Sequence, residues 1–212
     1  MSSLIKYMRE RVGQQYGRPA GIVGRMIGER MRRQHEPEVQ WTLSLLDVQP
    51  TDSVLEIGFG AGRGIELLAI QASQGQVMGI DLSQTMLASA TRRNAHAIHA
   101  GRVDLRQGNV TTLPFNDAQF DKVMSVHTLY FWPDYAQAIA EIARVLKPRG
   151  IVALTFSPGT TAPDGTKQIH TFQHIVEEQV LPATRQAEFS DVYLKDGPNS
   201  RHYLTTTIVG TR

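Results

Sequence analysis

The sequence predicts an α/β fold, doubly wound around a mostly parallel seven-stranded sheet, with a C-terminal antiparallel hairpin and an N-terminal helical extension. From residue 52, short apolar runs alternate with helical segments. A glycine-rich stretch follows the first run, and two β-rich segments flank a turn-rich loop near the C-terminus. The chain has 212 residues, so we expect one domain at 48–212 that carries a helical extension or lid at 1–47.

The elements of the predicted domain follow from hydrophobic periodicity. Strands are expected at 53–57, 76–80, 102–106, 120–126 and 151–156, with helices near 62–72, 83–98 and 135–146. A further helix is expected over 165–187, and the closing hairpin is expected to use 191–195 and 202–209.

The N-terminal extension is basic and amphipathic. Residues 1–35 carry a net charge of +6, from Lys6, Arg9, Arg11, Arg18, Arg25, Arg30, Arg32 and Arg33 against Glu10 and Glu29. The segment reads as two or three helices, with a break at 17–19 and a new start at Pro37. The charge fits either a solvated helix face or an arm for nucleic acid, anionic lipid or an acidic substrate. We expect the apolar stripe led by Ile22, Met26 and Ile27 to pack over a ligand cleft.

Composition excludes several classes of protein. The chain has no cysteine, which excludes disulfides, cysteine nucleophiles, thiolate zinc sites and iron–sulfur clusters. The N-terminus lacks the apolar stretch of a signal peptide, and no window approaches 18 apolar residues. We therefore expect a cytoplasmic protein without a membrane span.

The strongest motif is the glycine-rich sequence at 54–64 and the acid that follows it. A strand runs into Gly58, Gly60 and Gly62, and a helix begins directly after them. Glycines let a ligand approach the backbone, and the helix N-terminus offers free N–H groups. Asp81 ends the next strand, where a carboxylate can accept both hydroxyls of a ribose. The pattern predicts a cofactor that contains a nucleoside, whereas a tight turn with a surface Asp is the plainer alternative.

The spacing argues against a nicotinamide or flavin dinucleotide. The dinucleotide fingerprint G-x-G-x-x-G needs its third glycine at position 63 or 65, depending on the register. Those positions hold Arg63 and Ile65. No Gly-Lys-Ser/Thr follows either, so the loop is not a P-loop.

These motifs resemble the class I S-adenosylmethionine-dependent methyltransferases, and within them the small-molecule branch that includes the quinone-biosynthesis type. The resemblance covers about 52–156 and follows five motifs in order, at 56–62, 79–87, 108–115, 120–134 and 142–150. It implies S-adenosylmethionine as cofactor. Its implied binding residues are Glu56, Gly58, Gly60 and Gly62 at the amino-acid end, Asp81 at the ribose, Leu82 and Met86 beside the adenosine, and Asn109 and Val110 along the adenine. Asn109 stands where the family usually has an acid, and its side-chain oxygen can still accept from an adenine amino group.

The candidate catalytic residues lie beyond the fourth strand. His127 ends that strand and is the best candidate for a general base, although it is also explained as a hydrogen-bonded wall residue. Tyr130 follows it, and the aromatic run 130–132 either lines an apolar pocket or packs in the core. His170 and His174 are spaced i, i+4, but no acid is placed to complete a metal site. We therefore expect no metal.

The leading interpretation is an enzyme that methylates a small-molecule acceptor by in-line transfer. One alternative keeps the cofactor but makes RNA the acceptor, gripped by the basic N-terminal arm; we regard nucleic acid as the less favoured partner. Another is a protein that binds S-adenosylmethionine without turnover. The resemblance does not specify the acceptor, the atom that is methylated or the oligomeric state.

Overall fold

A seven-stranded sheet forms the centre of the computed structural model, which describes residues 17–169, 171–200 and 202–212. The strand order is β3-β2-β1-β4-β5-β9-β8, in which β1 to β5 are parallel and β9 runs antiparallel to both of its neighbours. The strands of this sheet are β1 (Ser53–Ile57), β2 (Gln76–Asp81), β3 (Val103–Gln107), β4 (Phe120–Val126), β5 (Leu146–Phe156), β8 (Ser190–Asp196) and β9 (Thr206–Thr211). The predicted fold class is confirmed.

Helices cover both faces of the sheet. They are α1 (Gly21–Gln34), α2 (Glu36–Leu46), α3 (Arg63–Gln71), α4 (Gln84–Arg93), α5 (Ala95–His99), α6 (Tyr135–Val145), α7 (Thr171–Ile175) and α8 (Leu181–Gln186), with a 3-10 turn at Leu129–Phe131 and a π-helical turn at Val176–Val180. Helices α2, α3 and α4 contribute to one core, and α6 and the helical segment 171–186 contribute to the other. In β1, Val54 belongs to the first core and Leu55 to the second, which explains the apolar run of a strand buried on both faces.

The prediction of one helix over 165–187 is wrong at its start. Lys167–Ile169 forms strand β7, which pairs antiparallel with β6 at Gly159–Thr161. Gly165 turns the chain between them with a φ of +86°. The helical periodicity is met only from Thr171 onward, because the preceding residues use their backbone groups in this small hairpin.

The expected packing of the apolar stripe on α1 is also wrong. Ile22 and Met26 are 81% and 69% exposed, and the buried positions of the helix are Gly24 and Gly28. A Cβ at Gly28 would overlap the end of Met86 on α4. The helix therefore approaches α4 through its glycine side, which permits close contact and turns the stripe outward.

Part of the basic arm falls outside the described residues. Lys6, Arg9 and Arg11 lie there, as does His170 of the predicted histidine pair. Across the described residues, no helix has both the length and the apolar character needed to cross a bilayer.

Helix α2 is tied to the sheet by a buried chain of hydroxyl groups. Thr42 Oγ1 donates to the Glu38 carbonyl oxygen at 2.7 Å and lies 2.5 Å from Thr155 Oγ1 on β5. Thr155 Oγ1 lies 2.8 Å from Thr207 Oγ1 on β9. All three threonines are buried, so each hydroxyl depends on its neighbours rather than on water. This chain sets the position of α2 over β5.

Replacing the central hydroxyl should destabilise the fold. Thr155→Val keeps the shape of the side chain but leaves the buried Thr207 hydroxyl without its partner. We expect the free energy of unfolding to fall by about 1–3 kcal/mol, measured by urea denaturation. Thr91→Val, at an exposed helical position, should change it by less than about 0.5 kcal/mol. Equal effects of the two substitutions would contradict the role of the hydroxyl chain.

Candidate active site

An open cleft lies at the carboxyl ends of β1, β2 and β4. The strand order reverses between β1 and β4, which is where doubly wound sheets bind ligands. Gly28, Met31 and Arg32 of α1 border the cleft on one side. The candidate residues that line it are Glu56, Gly58, Gly60, Asp81, Leu82, Met86, Asn109, Val110 and His127, whereas Gly62 and Tyr130 do not line it.

Gly60 and Gly62 of the glycine-rich loop have different structural roles. Gly60 has a φ of +51°, and nothing lies within 4 Å of the place where a Cβ would project. Gly62 has a φ of +83°, and a Cβ there would overlap Ala90 and Asn94 of the neighbouring helix and its cap. Gly60 therefore leaves room at the cleft, and Gly62 permits the close packing of α3 against α4.

Glu56, the penultimate residue of β1, is a buried acid with an unsatisfied oxygen. Its side chain packs against Gly64, where any Cβ would collide with the carboxylate. Its Oε2 has no hydrogen-bond partner among the described residues. Burial, with a smaller contribution from the charge of Asp81, raises the pKa of Glu56 to about 8. A buried acid of this kind at a cleft is suited to receive a cationic group of a ligand.

Asp81 ends β2 and is anchored by two backbone groups. Its Oδ2 accepts from the Gly60 N–H and its Oδ1 from the Ser83 N–H, both at 2.8 Å. Burial raises the pKa of Asp81, and these two hydrogen bonds act in the opposite direction. The carboxylate is thus held at the mouth of the glycine loop, with Leu82 and Met86 directly after it.

Asn109 and Val110 form the far wall of this half of the cleft. The Asn109 Oδ1 accepts from the Thr111 N–H at 3.2 Å, which fixes the orientation of the amide. Val110 is buried and belongs to the second core. The segment thus presents one apolar and one amide side chain beside the loop.

His127 stands on the opposite side of the cleft in an uncommon backbone conformation. Its φ is +57°, and its N–H still donates to the Thr155 carbonyl oxygen at 2.8 Å. Its Nδ1 lies 3.2 Å from Tyr130 Oη, which accepts from the Ser157 N–H at 2.6 Å. Burial raises the pKa of Tyr130 and lowers that of His127. Phe131 and Trp132 line the cleft beside the histidine.

Sequence reasoning missed two residues that the fold brings to His127. Glu38, on α2, places its Oε1 3.5 Å from His127 Nε2 and 3.3 Å from His35 Nδ1. Burial acts to raise the pKa of Glu38, but the two imidazoles outweigh it and leave the pKa at about 2. The His-x-x-Glu spacing of His35 and Glu38 was a local signal for a shared helix face. No pattern in the neighbouring sequence linked His35 or Glu38 to His127.

Arg63, which stands where one register of the dinucleotide pattern needs a glycine, forms ion pairs with two acids. Its guanidinium holds the Glu36 carboxylate, with a shortest distance of 2.7 Å, and also contacts Glu66 at 2.8 Å. The arginine therefore connects the start of α3 with the start of α2. A glycine at this position could not make that connection.

These features fit S-adenosylmethionine. The open space beyond Gly60 admits a ligand to the backbone, and the buried acceptor of Glu56 suits a cationic amino-acid end. Asp81 is placed at the end of β2, as a ribose partner should be.

Comparison with known proteins agrees with this assignment. A family model described as a methyltransferase domain matches residues 55–154. The chain is 32% identical over 169 residues to a Bacillus subtilis (strain 168) protein named uncharacterized methyltransferase YdaC, covering 79% of this chain and 87% of that protein. It is 36% identical over 121 residues to the demethylmenaquinone methyltransferase of Bacillus cereus (strain B4264), covering 57% of this chain and 51% of that protein. The match thus spans about half the length of that relative.

Solved structures share the fold. An S-adenosylmethionine-dependent methyltransferase from Aquifex aeolicus superposes with a TM-score of 0.69 at 15% sequence identity, over 88% of this chain and 97% of that one. The motifs, the cleft and these relatives together identify the chain as a member of the S-adenosylmethionine-dependent methyltransferases.

Proposed function

We propose that this enzyme methylates a small-molecule acceptor by in-line transfer, in the cleft between α1 and the end of β4. One observation carries the proposal: the residues suited to the donor and an aromatic, histidine-bearing wall line the same cleft from opposite sides. Nucleophile and methyl group must be aligned and shielded from water, and such positioning supplies roughly 7–11 kcal/mol of the barrier.

On the donor side, Glu56 would hold the amino-acid end, Asp81 the ribose, and Asn109 with Val110 the adenine. Leu82 and Met86 would flank the adenosine. When bound, S-adenosylmethionine supplies a methyl group already activated by its sulfonium charge. The protein would have to hold this methyl group in a fixed position. A rigid loop serves this purpose, and the loop backbone is anchored by the hydrogen bond from the Gly60 N–H to Asp81.

On the acceptor side, His127 would contact the acceptor and Tyr130 would hold the imidazole in place. Phe131 and Trp132 offer the apolar surface that an aromatic or aliphatic acceptor needs. The demethylmenaquinone methyltransferases among the relatives support an acceptor of small-molecule size.

An acceptor screen tests this function. The purified protein is supplied with S-adenosylmethionine and with phenols, quinols, thiols, amines or RNA, and release of S-adenosylhomocysteine is measured. We expect turnover with a small-molecule class. Turnover with RNA alone, falling steeply as salt rises, would move the acceptor to nucleic acid, and binding without any turnover would contradict the enzyme function.

Asp81→Ala should weaken S-adenosylmethionine binding. Loss of hydrogen bonds to a charged group costs about 1.5–3 kcal/mol, which is roughly 10- to 150-fold in dissociation constant. Isothermal titration calorimetry measures the change, and thermal unfolding checks the fold. Asp104→Ala, which removes a half-exposed carboxylate from β3, is the matched control and should bind normally. Unchanged affinity in Asp81→Ala would refute the placement of the ribose.

Binding of S-adenosylmethionine should release a proton from Glu56. The ligand-free carboxyl is protonated below its pKa of about 8, and a cationic ligand requires the ionised form. Affinity should therefore rise as pH increases toward about 8. Above that pH it should fall again, because the α-amino group of the ligand loses its own proton. Calorimetry at pH 7 in buffers of different ionisation enthalpy reports the released proton.

Glu56→Gln is the control for this titration and should bind weakly without that proton. In the ligand-free wild type, a pKa raised from 4.5 to about 8 makes the unfolding free energy fall as pH rises through this window. The glutamine variant should lose this dependence. The same proton release from both proteins would exclude Glu56 as its source.

Helix α1 should become protected when the donor binds. It borders the cleft through Met31 and Arg32, and Glu29 ties it to Arg93 on α4 at 2.7 Å. We expect amide hydrogen exchange across Gly21–Gln34 to slow on addition of S-adenosylmethionine. Strand β8, at the far edge of the sheet, is the internal reference. Protection that rises only with RNA would contradict the lid and favour a nucleic-acid arm.

A further inference from the structure

Three side chains of kinds that bind metal ions, His35, Glu38 and His127, lie close together on the side of the cleft formed by the end of β4. His35 Nδ1 and His127 Nε2 approach the same Glu38 oxygen, at 3.3 and 3.5 Å. One donor atom from each of the three residues lies within 4.8 Å of the others. His35 and His127 line the cleft, so the cluster borders the space in which an acceptor would lie.

The distances are long for direct ion pairs, although His35 Nδ1 remains within hydrogen-bond range of Glu38 Oε1, and they are also compatible with a shared metal ion. Charge-assisted hydrogen bonds are shorter, at about 2.7–2.9 Å. Nitrogen and oxygen ligands lie about 2.0–2.1 Å from zinc in a tetrahedral site, which places neighbouring ligand atoms about 3.3 Å apart. The two separations in this cluster therefore match the edges of such a tetrahedron.

Burial leaves donor atoms in the cluster without protein partners. The Glu38 side chain is 0% exposed, and neither its Oε2 nor His127 Nε2 has a hydrogen-bond partner among the described residues. The imidazoles pair with one Glu38 oxygen only, and a buried carboxylate oxygen without a partner is costly unless pairing or metal coordination satisfies it. A cation placed between the three donors would provide it.

The supporting contacts are those that a ligand histidine requires. His127 turns its Nδ1 toward Tyr130 Oη, which leaves Nε2 directed at Glu38. Ligand histidines generally hold their second nitrogen in such a contact, because it fixes the ring and its tautomer. On α2, Thr42 lies one turn after Glu38, and its contact with Thr155 of β5 holds this part of the helix against the sheet.

We propose that His35, Glu38 and His127 bind a divalent transition-metal ion, with zinc as the first choice, and that an open coordination position on the cleft side receives an ionisable oxygen or sulfur of the acceptor. Two histidines, one carboxylate and an open position form a common set for catalytic zinc. A bound metal favours the deprotonated form of such a group. This inference rests on the proposed function for its acceptor, but the metal site is testable without turnover.

Cobalt binding tests the site directly. The full chain is stripped with a chelator and titrated with Co²⁺, whose visible absorption reports tetrahedral coordination, and Zn²⁺ is then added in competition. We expect one Co²⁺ per chain, displaced by Zn²⁺, and a spectral change with azide if a position is open. Glu38→Gln and His127→Asn should each weaken binding about 100-fold or more, and Tyr130→Phe about 10-fold.

Controls separate this site from surface histidines and from misfolding. His96 and His99 are exposed on α5, and the double variant His96→Asn/His99→Asn should bind Co²⁺ as the wild type does. His35→Asn, at a partly exposed position, tests the cluster again if Glu38→Gln does not fold. Wild-type binding no tighter than that of the Glu38→Gln and His35→Asn variants would overturn the proposal.

The outcomes also distinguish this inference from the proposed function. Methyl transfer that persists in chelator, together with no Co²⁺ spectrum, would overturn the metal site and leave the function standing. Stoichiometric metal binding without transfer to any acceptor would support the site and count against the proposed function.

Discussion

The hydroxyl chain from Thr207 through Thr155 to Thr42 holds α2 over the sheet, and both halves of the cleft depend on where that helix lies. At the start of the helix, Glu36 binds the guanidinium of Arg63, the first residue of the helix that follows the glycine loop. Two residues later, Glu38 reaches the end of β4, where its Oε1 lies 3.5 Å from His127 Nε2. A shift of α2 would therefore disturb the donor loop and the acceptor wall together.

The donor half keeps two acids in an environment that opposes their ionisation. Burial raises the pKa of both Glu56 and Asp81, and the two charges also repel each other at Glu56. An apolar substitution of Glu56 would relieve this destabilisation, whereas Asp81 also accepts hydrogen bonds from two backbone N–H groups. The presence of both Glu56 and Asp81 near the carboxyl ends of adjacent strands is understandable if a cationic, ribose-bearing ligand provides the missing partners. Without a ligand, this site therefore contributes less to the stability of the fold than an apolar core of the same size would.

The sequence predicted the parts of the fold whose signals are local. Strands β1 and β4 coincide with the predicted runs at 53–57 and 120–126, because buried strands show as short apolar runs. Two predictions failed for non-local reasons. The stripe on α1 is turned outward because Gly28, on its buried side, packs closely against Met86 of α4, and periodicity alone does not show which side of a helix has the nearer neighbour. The segment before Thr171 forms a hairpin because Gly159–Thr161 offers it a pairing partner.

The difference between local and non-local signals also separates the two halves of the site. The half proposed to hold the donor consists of a loop and a strand end that follow one another along the chain, so Gly60 and Asp81 could be predicted from spacing, and the structure joins them by a hydrogen bond. The acceptor half joins His35 and Glu38 to His127, residues brought together only by the docking of α2 against β4 and β5. Family motifs therefore describe the donor half and leave the acceptor undetermined. The chemistry that distinguishes this enzyme from others of its fold is expected in the side chains that α2 carries to the end of β4.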